Sequence, residues 1–136
     1  MKKVEELVLL YHFTDEEKEN KIKAVLKRMK IKTKNISGEM MSQKVGYLVG
    51  MPSFKETISE EPVEPFDQEV MVMQGINNKR TNEILLNFKA EDIEKIALKA
   101  IVTPYNIFWT FSRLCKTIQK DHLVIKEQKN QDKVKI

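Results

Sequence analysis

Leu7-Val8-Leu9-Leu10-Tyr11-His12-Phe13-Thr14-Asp15-Glu16-Glu17 is the stretch on which the fold turns. Its first five residues form an unbroken apolar run, the pattern of a strand covered on both faces. Thr14 then opens a capping box, with Glu17 three residues on, and the acids of this first turn suit the positive end of a helix. Ile22, Val25, Leu26 and Met29 follow at helical spacing, with lysines between them. Strand, tight turn and amphipathic helix are therefore expected in that order.

Working outward, Ile31 to Ile36 alternates and reads as a short strand that Gly38 breaks. Met40, Met41, Lys44, Val45, Leu48 and Val49 recur at three- and four-residue steps and predict a short helix, with Gly50 ending it and Pro52 preventing continuation. Residues 52–68 carry three prolines and five acids without periodicity, so a loop is expected there. Val70-Met71-Val72-Met73 restarts the pattern as a second buried strand. Gly75 and Asn77-Asn78 supply a turn, and Ile84, Leu85 and Phe88 mark a helix over about 79–88. Ala97 to Thr103 predicts a further strand closed by Pro104. Thr110 caps a last helix carrying Phe111, Leu114, Cys115 and Ile118, and a polar tail is expected from residue 126.

A shift of 63 residues lays Leu10 on Met73, Phe13 on Ile76, Ile22 on Leu85 and Val25 on Phe88. The expected fold class is α/β: two strand-helix-strand halves on one four-stranded sheet, ferredoxin-like or similar, with a short inserted helix and a C-terminal helix. Residues 1–125 form one domain in this reading, with 39–68 as an insert. The matching is one of hydrophobic pattern, so it supports architecture more than ancestry.

Composition narrows the function classes. The chain has 136 residues, 41% hydrophobic and 32% charged, which suits a globular domain. Charge is unevenly spread: residues 1–37 carry a net +4, residues 38–76 a net −5 and residues 77–136 a net +5. Most lysines alternate with glutamates along helices, the look of solvated faces, so nucleic acid is not an expected partner. No apolar run approaches the roughly 20 residues of a membrane helix. A lone cysteine, Cys115, permits no intrachain disulfide, and a cytoplasmic setting is expected.

The segment Leu98-Lys99-Ala100-Ile101-Val102-Thr103-Pro104-Tyr105-Asn106-Ile107-Phe108-Trp109-Thr110 resembles the closing segment of a family of small bacterial α/β proteins known as a domain of unknown function. Members of that family tend to read leucine-lysine-alanine-valine-leucine-threonine-proline there, then an asparagine and tryptophan-threonine. Val8 to Phe13, Gln43 to Gly50 and Val70 to Gly75 are similar to it too, so the resemblance takes in most of 4–118. Tyr105 and Phe111-Ser112-Arg113 depart from its pattern. The resemblance implies a bacterial source and a small α/β domain, and it transfers no catalytic residue.

Four glycines cannot build a dinucleotide fingerprint, and no phosphate loop, serine elbow, CxxC or paired histidine-glutamate spacing is present. No catalytic residue, metal ligand or cofactor is assigned. Two surfaces stay open. One is a ligand pocket at strand ends, drawn from His12, Asn77, Thr103, Tyr105, Asn106 and Trp109. The other is a partner surface on the methionine-rich helix, drawn from Met40, Met41, Val45 and Leu48, where flexible side chains suit a protein groove or self-association. The leading expectation is a non-catalytic binding or regulatory module acting through protein contact. The alternative is a small enzyme or ligand binder using the pocket.

Overall fold

A computed structural model describes residues 5–58 and 63–134, with side chains described as far as His122. The chain runs β1 (Leu7–Tyr11), α1 (Glu16–Arg28), β2 (Lys32–Ile36), a 3-10 turn at Gly38–Met40, α2 (Val45–Leu48), β3 (Val70–Gln74), α3 (Asn78–Ala90), β4 (Leu98–Ile101), a second 3-10 turn at Asn106–Phe108 and α4 (Phe111–Val134). The four strands make one sheet in the order β2-β1-β3-β4. The α/β class and the four-stranded sheet are as the pattern predicted. The arrangement is not the interleaved ferredoxin-like one. β1 pairs in parallel with β2 directly, β3 does the same with β4, and the two pairs meet antiparallel at β1 and β3.

That central pairing explains the internal echo. Leu9 lies opposite Val72, exactly its own counterpart at the 63-residue shift, and Leu7↔Gln74 and Tyr11↔Val70 flank it symmetrically. A local two-fold axis therefore passes between Leu9 and Val72. It carries further than the sequence pattern does. His12 and Gly75, again 63 apart, both take positive φ (61° and 70°) just after their strands. Each half continues from its second strand into a 3-10 turn and a helix, and the two helix starts are joined by an isolated bridge between Lys44 and Thr110.

Both faces of the sheet are covered. Period-2 alternation sends Val8, Leu10, Met71 and Met73 to one side, where they pack with Ile22, Val25 and Leu26 of α1 and Ile84 and Phe88 of α3. Leu9, Tyr11, Val70 and Val72 face the other side, against α2, Phe66, Phe111, Leu114 and Cys115. Residues 51–58 and 63–69 are pinned across this second face. Gln43 holds Thr57 by two hydrogen bonds (2.9 and 2.7 Å), and the Tyr11 hydroxyl donates to the Phe66 carbonyl at 2.7 Å. Among the described residues no helix is long and apolar enough to cross a membrane.

The caps differ in detail from expectation. Asp15, not Thr14, caps α1, its carboxylate accepting from the Lys18 amide. Both residue types cap well, and adjacency in sequence does not choose between them. Thr110 does cap α4, accepting from the Arg113 amide at 3.1 Å. The region read as one helix over 40–49 is split into a 3-10 turn and a single turn of α-helix, and Gly50 closes it at φ 82°. In backbone α4 runs on to Val134, through most of the segment expected as a polar tail.

Helix α1 ends in a Schellman motif. Ile31 N–H donates to the Leu26 carbonyl, Lys30 N–H to the Lys27 carbonyl, and Lys30 sits at φ 62°. A side chain in this left-handed well carries a steric cost that glycine lacks. Lys30→Gly is therefore expected to raise stability by about 1 kcal/mol. Urea denaturation should show a higher midpoint at unchanged slope.

Candidate functional site

The turn leaving β4 is built by two polar residues. Thr103 Oγ1 accepts from the Tyr105 and Asn106 amides at 3.3 and 3.1 Å. Asn106 Oδ1 accepts from the Thr103 amide at 2.8 Å, and its Nδ2 donates to the Ile101 carbonyl at 3.0 Å. Pro104 lies between them and restricts Thr103 to extended backbone, which starts the turn. Asn106 is buried with both side-chain polar atoms hydrogen-bonded within the turn, so it holds the turn's shape.

The turn throws its aromatic residues outward. Tyr105 and Phe108 are 79% and 62% exposed, and Phe108 meets the Phe54 ring at 5.5 Å. Trp109 is half-buried under the Arg113 guanidinium, 4.5 Å from ring centre. Between β4 and α4 lies a cleft of about 500 Å³ whose wall includes Thr103, Tyr105, Asn106, Trp109, Asp121 and His122.

Four of the six pocket candidates thus meet: Thr103, Tyr105, Asn106 and Trp109. The other two do not join them. β1 runs antiparallel to β3 and β4, so His12 lies at the opposite end of the sheet, exposed, beside a smaller cleft with Phe13, Thr14, Glu19 and Asn35. Asn77 does not line the cleft; its side chain caps α3 by accepting from the Arg80 amide at 2.8 Å. A single pocket spanning His12, Gly75 and the Thr103–Asn106 turn is ruled out by strand direction.

The partner-surface candidates need a correction as well. Met41, Val45 and Leu48 are at most 2% exposed, packed beneath α4 and against the sheet, and Met40 is partly buried beside them. Their helical spacing signalled a buried stripe, and what buries it is this chain.

Asp121 and His122 were not among the candidates. They lie on α4, far along the chain from Thr103, and only the packing of α4 on β4 brings them to the cleft. As neighbours in sequence they do not face each other across the helix. Cys115 is fully buried, and burial pushes its thiol up to about 12, which keeps it protonated and unreactive at neutral pH. The cleft therefore offers aromatic surface and isolated polar groups, the equipment of a binding site.

No curated protein and no solved structure matches the chain. The segments Val8–Phe13 and Gln43–Gly50, which the resemblance also took in, lie outside the range of the family match. That match takes in β3, α3, β4, the Thr103–Trp109 turn and the start of α4: residues 69–125 match the model of a domain of unknown function, DUF3783.

Proposed function

We propose that this chain is a non-catalytic binding module that receives an extended segment of a protein partner along the outer edge of β4. The observation that carries the reading is the difference between the two edges of the sheet. The β2 edge reads Lys-Thr-Lys-Asn-Ile, with exposed lysines that discourage strand addition. The β4 edge reads Leu-Lys-Ala-Ile, and its one lysine is turned back to the Ile96 carbonyl. Among the described residues no strand pairs with that edge, where only the Ile101 carbonyl is taken, by the Asn106 side chain.

Backbone geometry supplies the hydrogen bonds for such a partner. Val102 N–H donates inward to the Met73 carbonyl at 2.9 Å. Bonding alternates along a ladder, so Lys99 and Ile101 turn their N–H and C=O groups outward. Asn106 already holds the Ile101 carbonyl, so an added strand would bond to the Lys99 N–H and C=O and to the Ile101 N–H, and its side chains would enter the cleft beside Tyr105 and Trp109. A bacterial cytoplasm suits the reading, since the lone buried thiol needs no oxidising compartment.

Peptides selected from a random library on the intact protein provide the test. Binding should move the backbone amide NMR signals of Lys99 and Ile101 and the side-chain signal of Trp109. Ile101→Pro removes an outward N–H and leaves the β3 ladder whole, so it should weaken binding at least tenfold at unchanged melting temperature. Signals moving only away from β4, or equal binding by Ile101→Pro, would overturn the proposal.

A further inference from the structure

The two halves differ most in one connection. Three residues, 29–31, join α1 to β2, whereas seven residues, 91–97, join α3 to β4. Closing the equivalent crossover does not require the four extra residues. They open a groove of about 500 Å³ on the α3 face of β4, which shares Lys99 with the cleft beside α4.

The groove has an apolar floor and a charged wall in which lysines outnumber acids three to two. Phe88, Ile93 and Ile96 are buried in it, and Leu85 is half-buried at its side. The floor is held by the end of α3, where Ile93 N–H donates to the Phe88 carbonyl at 2.9 Å and Asp92 takes φ 55°. Five ionisable side chains border the groove: Lys89, Asp92, Glu94, Lys95 and Lys99. Only Lys99 is partly buried; the other four are exposed to water. Its ammonium donates to the Ile96 carbonyl at the groove wall, which leaves two of its three donors for another acceptor. Burial, with Lys95 nearby, holds that ammonium below its ordinary pKa, a sign that the charge lacks a compensating anion.

We infer that this groove binds a small free carboxylate with an apolar body, the chain lying on Phe88, Ile93 and Ile96 and the carboxylate facing Lys99 and Lys95. Charge complementarity selects the anionic end: the one half-buried charge, on Lys99, is positive, while Lys95, Asp92 and Glu94 alike stand in water where screening weakens them. Volume and lining suit a small molecule, since ligand sites of this size are mostly apolar with few polar groups that orient the ligand. The inference does not rest on the peptide-docking reading: that reading uses the backbone groups of Lys99 and this one its side chain, on the α3 face of β4.

Decanoate is a suitable probe, with decanol as its uncharged counterpart and inorganic phosphate as an anion without an apolar body. Titration of the intact protein, followed by methyl NMR, should move Leu85, Ile93 and Ile96. Decanoate should bind at least tenfold more tightly than decanol, and phosphate should leave these methyls unmoved. Lys99→Met keeps the stem and removes the charge. It should weaken decanoate at least tenfold and leave decanol binding within twofold, a readout that a merely structural role for Lys99 would not give. Lys95→Gln, on an exposed position that cannot unfold the protein, should weaken decanoate by a smaller factor. Equal affinity for decanoate and decanol, methyl shifts confined to other parts of the protein, or unchanged decanoate binding in Lys99→Met would each overturn the inference.

Discussion

Phe111→Ala is expected to destabilise the protein by about 3–5 kcal/mol, the range for truncating a fully buried aromatic side chain. Phe111 is the largest of the side chains with essentially no exposure. Its ring meets Tyr11 edge-on at 5.6 Å, in the layer between the sheet and α4. Its amide donates to the Gln43 carbonyl at 2.9 Å, so the backbone there is fixed and cannot close over the lost volume. The Tyr11 hydroxyl is tied to the Phe66 carbonyl, which also limits collapse from the strand side. Against a typical total of about 5–15 kcal/mol, such a loss is a large fraction of the stability. Urea unfolding should show a midpoint far below that of the parent protein. Phe111→Leu, which keeps most of the volume, should cost about 1.5 kcal/mol or less. Equal midpoints for the alanine variant and the parent would mean that α4 does not pack on the sheet as described.

Leu9→Ala is the second large effect, at about 2–5 kcal/mol. Leu9 is completely buried and sits beside the two-fold axis, opposite Val72. Both strands are central, so no edge can shift to fill the space. A control on the same protein is Leu86→Ala. Leu86 is 67% exposed on α3, and its removal should change stability by less than about 0.5 kcal/mol. Equilibrium denaturation of the pair separates the two cases: similar losses would contradict the central placement of β1.

The elements themselves were legible because their signals are local. Unbroken runs at Leu7–Tyr11 and Val70–Met73 marked the two strands that both faces cover, and these are the central ones. Apolar spacing at Ile22, Val25 and Leu26 marked the face of α1 that packs inward. Gly50 ended α2 because its φ of 82° favours a residue without a side chain. The choice of Asp15 as cap is not legible locally, because Thr14 beside it is an equally good acceptor.

The candidate sites were legible only in part, for two physical reasons. Helical spacing at Met41, Val45 and Leu48 reports that a stripe is buried, but carries no information on whether the covering surface belongs to the same chain. His12 and the Thr103–Asn106 turn both follow strands, but the side of the sheet on which a strand ends depends on its direction. An antiparallel meeting of β1 and β3 sends those ends apart. Lys99 carries no local signal of its partial burial, because that comes from a seven-residue connection whose path a sequence does not show.

The sequence by itself determined the α/β class, the strand-then-helix order of each half, the turn at Gly50 and the 63-residue echo. These rest on periodicity, capping and backbone freedom, which act over a few residues at a time. Strand order, the two-fold axis at Leu9 and Val72, the cleft beside Trp109 and the groove beside Lys99 were decided only by the tertiary structure. Each depends on contacts between segments far apart in the chain, where many packings bury the same apolar faces and only the complete set of contacts selects one.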